Sequence, residues 1–191
     1  MVKLKRPEIP IPLAMEHLPV TTNGYKKPWF VKGSDLREVD QRKYLQSMKQ
    51  GKCWVCGGSN QKEFVFVSGP QLALHSASIE PPCHLECAVY AATVCPYLIL
   101  PKAKRRPANR PENIRAENVD ASIDMEASSI SYVLTAVKQF AFRPVNESHF
   151  AIWLKEFVLW QQLWSEGTVL YKSDCGALDE SILKKKIADE R

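Results

Sequence analysis

Short apolar runs separated by proline and glycine predict an α+β fold built from many small elements. Residues 41–50 are good helix formers and place Tyr44 and Met48 on one side. Asp40 can act as the N-cap of this segment, and Gly51 can end it. The pattern therefore predicts a helix over 41–50.

Two β-hairpins are predicted in the first half of the chain. The first spans 29–39 and turns at Gly33. The second joins apolar or β-favouring runs at 64–67 and 72–78 through the turn-forming residues 68–71.

A helix is predicted next over 84–94, which contains no helix breaker and ends before Pro96. Residues 130–142 fit both a helical stripe and a strand, and their β-branched and aromatic content favours the strand. Pro144, Asn146 and Ser148 mark a turn before the apolar residues 150–154.

Helices are expected over 156–166 and 179–188, the second with an apolar side and with cations near its C-terminus. Three tryptophans are expected to pack in a core rather than to form a stacking face for nucleic-acid bases: Trp153, Trp160 and Trp164.

These elements suggest four segments. Residues 1–27 are rich in proline and form an extended arm, and 28–100 form a first lobe. Residues 101–121 form a basic linker, and 122–191 form a C-terminal α+β lobe that is rich in strand and has two helices.

Composition places the chain among globular proteins. It has 191 residues, of which 45% are hydrophobic and 25% are charged, so a disordered or fibrous protein is excluded. Pro10 and Pro12 interrupt the first apolar stretch, and no signal-peptide core or membrane span is found. We therefore expect a cytoplasmic protein whose six cysteines stay reduced, which favours metal ligation over disulfides.

The net charge of +5 is concentrated in one stretch. Between residues 101 and 115, a single glutamate opposes six cations: Lys102, Lys104, Arg105, Arg106, Arg110 and Arg115. Such a run is most often a solvated linker, and that is our interpretation. The alternative is a contact to nucleic-acid phosphates or to an acidic protein surface.

Four residues have the spacing of a zinc site. Cys53 and Cys56 form a Cys-x-x-Cys pair followed by two glycines, and His84 and Cys87 lie three apart in the first turn of the helix predicted over 84–94. A tetrahedral Zn²⁺ needs four nitrogen or sulfur ligands, so these two pairs complete one structural site. A thioredoxin-like redox pair is disfavoured, because glycines and not a helix follow Cys56.

The spacing of the other cysteines makes them less suitable as ligands of this site. Cys83 lies four residues before Cys87 and is the reserve ligand. Cys95 lies about 12 Å farther along the helix, too far to share the ion, and is expected to be a buried thiol. Cys175 is expected to be a packed or surface residue.

The order of knuckle, hairpin and ligand-bearing helix is similar to the treble-clef zinc modules. The chain also resembles a family of functionally uncharacterised bacterial and phage proteins, through Gly24–Val31, a Cys-Trp-Val-Cys-Gly knuckle and Glu-Pro-Pro-Cys-His-Leu-Glu-Cys-Ala at 80–88. The resemblance implies a zinc lobe with His84 rather than Cys83 as ligand, and it favours a strand over 130–142. It implies no reaction.

Enzyme chemistry has one candidate residue. Treble-clef modules include the HNH nucleases, and His75 is the nearby histidine that a nuclease would need to activate water. It has no second catalytic histidine beside it, because His84 is assigned to zinc, so a surface role is favoured. We expect a non-catalytic zinc module, encoded by a phage or mobile element, that docks on a host or viral protein, with nucleic-acid binding as the alternative.

Overall fold

The computed structural model describes residues 9–22, 24–36, 38–59, 63–99, 131–146, 149–154 and 158–190. The helices are α1 (Gln41–Gln50), α2 (Pro70–Leu74), α3 (Leu85–Val94), α4 (Pro96–Ile99) and α5 (Glu180–Asp189), and a 3-10 turn spans Leu13–Met15. The strands are β1 (Phe64–Ser68), β2 (Ala77–Ser78), β3 (Ser131–Val137), β4 (Ala141–Asn146), β5 (His149–Trp153), β6 (Val158–Ser165) and β7 (Thr168–Ser173). The basic segment 101–121 lies outside the described residues, and with it all six of its predicted nucleic-acid contacts.

The strands form two antiparallel sheets, in the orders β1-β3-β6-β7 and β2-β5-β4. All seven residues of β3 are buried, which fits a central strand that is covered on both faces. In both sheets, strands that precede the basic segment pair with strands that follow it. The two predicted lobes therefore share their sheets.

Several elements agree with the sequence predictions. In α1, the Asp40 side chain accepts a hydrogen bond from the Arg42 N–H at 3.0 Å, and Gly51 ends the helix in a left-handed conformation. The helix expected over 84–94 is α3, and α5 begins after an Asp179 cap. The strand interpretation of 130–142 is confirmed by β3 and the start of β4.

The prediction of a hairpin from 64–67 and 72–78 is wrong. Strand β1 pairs with β3 instead, and residues 70–74 form α2. Pro70 occupies the first turn of α2 after an extended Gly69, where the fixed φ and missing N–H of proline suit a helix start. Only Ala77–Ser78 form a strand in this region, and it pairs with β5.

The prediction of a helix over 156–166 is also wrong, because this region contains β6. Gln161 and Leu163 are fully buried two positions apart, which is strand periodicity. A spacing of four residues, as between Trp160 and Trp164, brings side chains to one face in either a helix or a strand. Beyond residue 131, the described residues contain one helix, α5, rather than two.

One core joins the cysteine-rich region to the sheets. The larger buried cluster contains Cys53, Trp54, Phe66, Leu134 and Ile152, so residues of the Cys-x-x-Cys turn pack together with β1, β3 and β5. Trp164 belongs to this cluster and Trp160 packs against it, as expected of core tryptophans, whereas Trp153 is partly exposed and belongs to neither buried cluster. A smaller cluster lies between α2, α5 and the four-stranded sheet.

Candidate metal centre

The turn that follows Lys52 brings Cys53 and Cys56 together. Lys52 and Ser59 form an isolated antiparallel bridge, and the Gly57 N–H donates to the Cys53 carbonyl at 2.8 Å. Gly57 has a φ of 78°, a left-handed conformation that favours glycine. We call residues 52–59 the knuckle.

The second ligand pair lies at the start of α3. His84 occupies the N-cap position with extended backbone angles, and Cys87 follows in the first turn of the helix. The knuckle is tied to this chain segment because the Trp54 N–H donates to the Pro82 carbonyl at 2.8 Å. Both pairs are thus held by backbone structure and not by the side chains alone.

Four donor atoms converge from these two pairs. One ligand atom each of Cys53, Cys56, His84 and Cys87 lies within 4.8 Å of all the others, and the three cysteines are buried. Nδ1 of His84 lies 3.3 Å from Cys56 Sγ and 3.9 Å from Cys87 Sγ. The group is able to hold a metal ion.

Two of the donor separations are compatible with a tetrahedral metal site. With Zn–S near 2.3 Å and Zn–N near 2.05 Å, a tetrahedral angle places a nitrogen and a sulfur ligand about 3.6 Å apart. The two observed nitrogen-to-sulfur distances, 3.3 and 3.9 Å, lie on either side of that value. Three thiolates and one imidazole also form a common donor set for structural zinc.

Further hydrogen bonds orient these donors. Nε2 of His84 lies 2.9 Å from the Ser59 carbonyl, which can accept a hydrogen bond from a protonated Nε2 and so leaves Nδ1 for a metal. The His84 N–H donates to Cys53 Sγ at 3.3 Å, and the Gly58 N–H donates to Cys56 Sγ at 3.4 Å. Sequence reasoning missed Ser59, because any residue type supplies a carbonyl.

Proton sharing within the group shows how closely these donors are packed. Hydrogen bonds from the thiols of Cys56, Cys83 and Cys87 hold the pKa of Cys53 far below its usual range. Cys53 and Cys56 in turn raise the pKa of His84 to about 11, and they also raise that of Cys87. In the metal-free chain, a thiolate at Cys53 is therefore stabilised by protons on its neighbours, and a cation can replace those protons.

Cys83 contacts the group without belonging to it. Its backbone exchanges two hydrogen bonds with Val65 of β1, at 2.7 and 3.0 Å, and its buried thiol interacts with Cys53. That interaction, together with burial, raises the pKa of Cys83. The four-donor group contains His84 and not the reserve ligand.

The two remaining cysteines lie apart from this group. Cys95 caps the C-terminus of α3, is partly exposed, and has a pKa raised by burial of its thiol. Cys175 is exposed, in agreement with a surface role.

Aromatic side chains cover the knuckle. The Trp29 N–H donates to the Val55 carbonyl at 2.7 Å, and the ring of Trp29 lies so close to Gly57 that an added Cβ would be 2.6 Å from Trp29 Cγ. Phe30 stacks on Trp54 with ring centroids 4.3 Å apart. Trp29 carries no signal in the sequence that assigns it to this site, although the glycines after Cys56 indicate a close approach by another group.

Other predicted features can be placed briefly. His75 is exposed at the end of α2 and is not one of the four donors. None of the described helices combines the length and the apolar character needed to cross a bilayer.

Comparison with known proteins finds no matching family model, curated protein or solved structure.

Proposed function

We propose that Cys53, Cys56, His84 and Cys87 hold a structural zinc ion in a module related to the treble clefs. The knuckle and the ligand-bearing start of α3 support this relationship. The hairpin that a treble clef places between them is replaced in this chain by β1, α2 and the short β2.

We infer that the protein is a non-catalytic cytoplasmic module that docks on another protein, of a host cell or a virus. One observation supports this inference: four protein side chains each place a ligand atom within 4.8 Å of the other three, which is the number of ligands that a closed tetrahedral site needs. Structural zinc sites are closed in this way, whereas catalytic zinc sites keep a position for water or substrate. The resemblance to bacterial and phage proteins suggests a phage or mobile element as the source.

The N-terminal arm offers the docking surface. Met15 and Leu18 are buried in the core, whereas Ile11, Leu13 and Val20 are 44%, 77% and 62% exposed. Apolar side chains on an anchored segment support contact with a protein, because burying them in an interface releases water from apolar surface.

Metal analysis tests the first half of the proposal. We expect one zinc per chain by elemental analysis, and a cobalt-substituted protein with a sulfur-to-cobalt charge-transfer band. Cys56→Ser should lose both signals, while the matched variant Cys95→Ser should keep them. A protein that folds equally well after exhaustive chelation would contradict a structural metal.

Affinity capture tests the docking half. The full chain is used as bait in a bacterial lysate, and each captured protein is then purified and titrated calorimetrically. Leu13→Ser/Val20→Ser should weaken binding at least about tenfold, as removal of interface anchors does. Val169→Ser/Leu170→Ser removes apolar residues of similar kind from β7, which are 43% and 45% exposed, and should leave the affinity unchanged. Repeated captures that retain no specific protein would contradict the proposed docking function.

Two alternatives stay predictions. Nucleic-acid binding through 102–115 concerns residues outside the described part of the chain, and it predicts a gel shift that weakens steeply as salt rises. An HNH-like nuclease would cleave plasmid DNA in a divalent-dependent reaction that His75→Ala abolishes. Intact plasmid after long incubation would exclude it.

A further inference from the structure

Positive charge is distributed unevenly over the described residues. The described part of 24–59 contains three acidic residues and seven cations: Lys26, Lys27, Lys32, Arg42, Lys43, Lys49 and Lys52. The part that follows, 63–99, contains three glutamates and no lysine or arginine. The excess of cations over acidic residues in the described part of the chain therefore lies on α1, on the knuckle and on the segment that leads to them.

These cations differ in their partners from three of the six described cations of the C-terminal part. Lys172, Lys184 and Lys186 each form an ion pair with a carboxylate of β7 or α5, or of a residue next to them, at 2.8 to 3.6 Å. Within the described residues, no cation of 24–59 has a carboxylate within ion-pair distance. The excess charge of this region is thus available to an external anion.

Two of the cations meet at one aromatic ring. Nζ of Lys43 lies 5.4 Å and Nζ of Lys52 lies 5.8 Å from the centroid of the partly buried Trp29 ring. Lys43 Nζ also donates to the Trp29 carbonyl at 2.6 Å. The ring in turn is fixed against Gly57 of the knuckle, so an indole and two ammonium groups are held together by rigid neighbours.

We propose that Trp29, Lys43 and Lys52, together with Arg42 and Lys49 on the exposed side of α1, bind the backbone of single-stranded nucleic acid. We call these five residues the knuckle surface. Arg42 and Lys49 are exposed and seven positions apart, so they lie on one side of the helix about 10 Å from each other. Arg42 and Lys49 therefore add two exposed cations, spaced along α1, to the pair at Trp29.

This composition favours a nucleic acid over an acidic protein. Single strands bind where cations follow the backbone and an aromatic ring lies among them, because each nucleotide brings both a phosphate and a planar base. A carboxylate-rich protein surface needs the cations but makes no use of the indole. The inference goes beyond docking on a protein and does not depend on the basic segment 102–115.

Fluorescence anisotropy on the full chain tests the knuckle surface. The probe is a labelled oligothymidylate of roughly 15 nucleotides, titrated at salt concentrations between about 0.05 and 0.2 M. Lys43→Gln/Lys52→Gln removes the two ammonium groups at Trp29. Lys49→Gln/Lys52→Gln removes two charges and keeps the Lys43 contact to the Trp29 carbonyl, so a local distortion at Trp29 would affect only the first variant.

The expected effect follows from counterion release. Each phosphate contact on a single strand contributes about 0.7 to the slope of log affinity against log salt. Loss of two contacts should lower that slope by about 1.4 and weaken binding about 25-fold at 0.1 M salt relative to the wild type. The control Lys172→Gln/Lys185→Gln also removes two positive charges, one from β7 and one from α5. It should leave the salt slope and the affinity near the wild-type values.

Three results would overturn the proposal. The first is a wild type that shows no salt-dependent binding at the lowest salt. The second is a loss of affinity in the two knuckle variants no larger than in the control, which would place the binding at 102–115. The third is displacement of the oligonucleotide by polyglutamate as effective as that by unlabelled oligothymidylate at equal charge, which would indicate an acidic protein surface instead. Docking through Leu13 and Val20 is measured separately, so its success or failure is distinguishable from each of these results.

Discussion

Replacement of Gly57 by alanine tests whether the knuckle depends on its close contact with Trp29. The new Cβ would lie 2.6 to 2.7 Å from three atoms of the Trp29 ring, closer than non-bonded carbons approach. The main chain of Trp29 is held in place, because its backbone N–H donates to the Val55 carbonyl and its carbonyl accepts from Lys43 Nζ, so the ring would have to leave its side-chain rotamer to make room.

The free energy of unfolding should fall for two separable reasons. A left-handed conformation costs a non-glycine residue about 1–2 kcal/mol. Forcing an extra carbon into packed surroundings adds about 1–3 kcal/mol. Gly57→Ala should therefore lose about 2–5 kcal/mol, which corresponds to a fall in Tm of about 4–20 °C for a chain of this size.

Gly176→Ala is the matched control. Gly176 has a φ of 76°, close to the 78° of Gly57, but a Cβ on it would meet nothing within 4 Å. This variant should lose only the conformational part, about 1–2 kcal/mol. Urea unfolding of both variants at a fixed zinc concentration measures the difference. Equal losses in the two variants would refute the reasoning about Trp29.

Three further predictions concern the metal centre and the core. Cys87→Ser should abolish stoichiometric zinc binding and make the protein unfold at lower urea, whereas Cys175→Ser should behave like the wild type in both assays. Because the pKa of His84 is raised to about 11 and that of Cys87 is also raised, both donors hold protons at neutral pH in the metal-free chain. Zinc affinity should thus rise with pH, and an indicator dye should report at least two protons released per zinc; release of fewer than one would contradict this. Gln161→Leu leaves two buried hydrogen-bond partners unsatisfied and should cost about 2–4 kcal/mol, while Gln46→Leu on the exposed side of α1 should stay within about 0.5 kcal/mol. A cost for Gln161→Leu no larger than that of its control would show that the buried network is not needed.

The sequence predicts features that are encoded locally. The cap and stop of α1 lie within a dozen residues, and the metal donors are recognisable because chemistry restricts them to few residue types at few spacings. His84 over Cys83 is a prediction that the four-donor group supports.

The errors arise where a short pattern has two solutions. Pro70 can end a turn or begin a helix, and the residues that follow it are tolerated in either structure. Trp160 and Trp164 share a face in a helix and also in a strand. What decides these cases is pairing with β3, which lies more than fifty residues away from β1 in the chain, and no local pattern reports it.

The chain order of these parts has a consequence for synthesis on the ribosome. All four candidate metal donors precede Ser131, where β3 begins, so a nascent chain that binds the proposed metal can close this centre while β1 still lacks its neighbour. At about 5–20 residues per second, translation needs a few seconds to supply that neighbour. During this interval Val65 and Phe66, which have no solvent exposure in the finished sheet, belong to an open strand edge. A product truncated before Ser131 would carry a complete ligand set and a permanent tendency to aggregate.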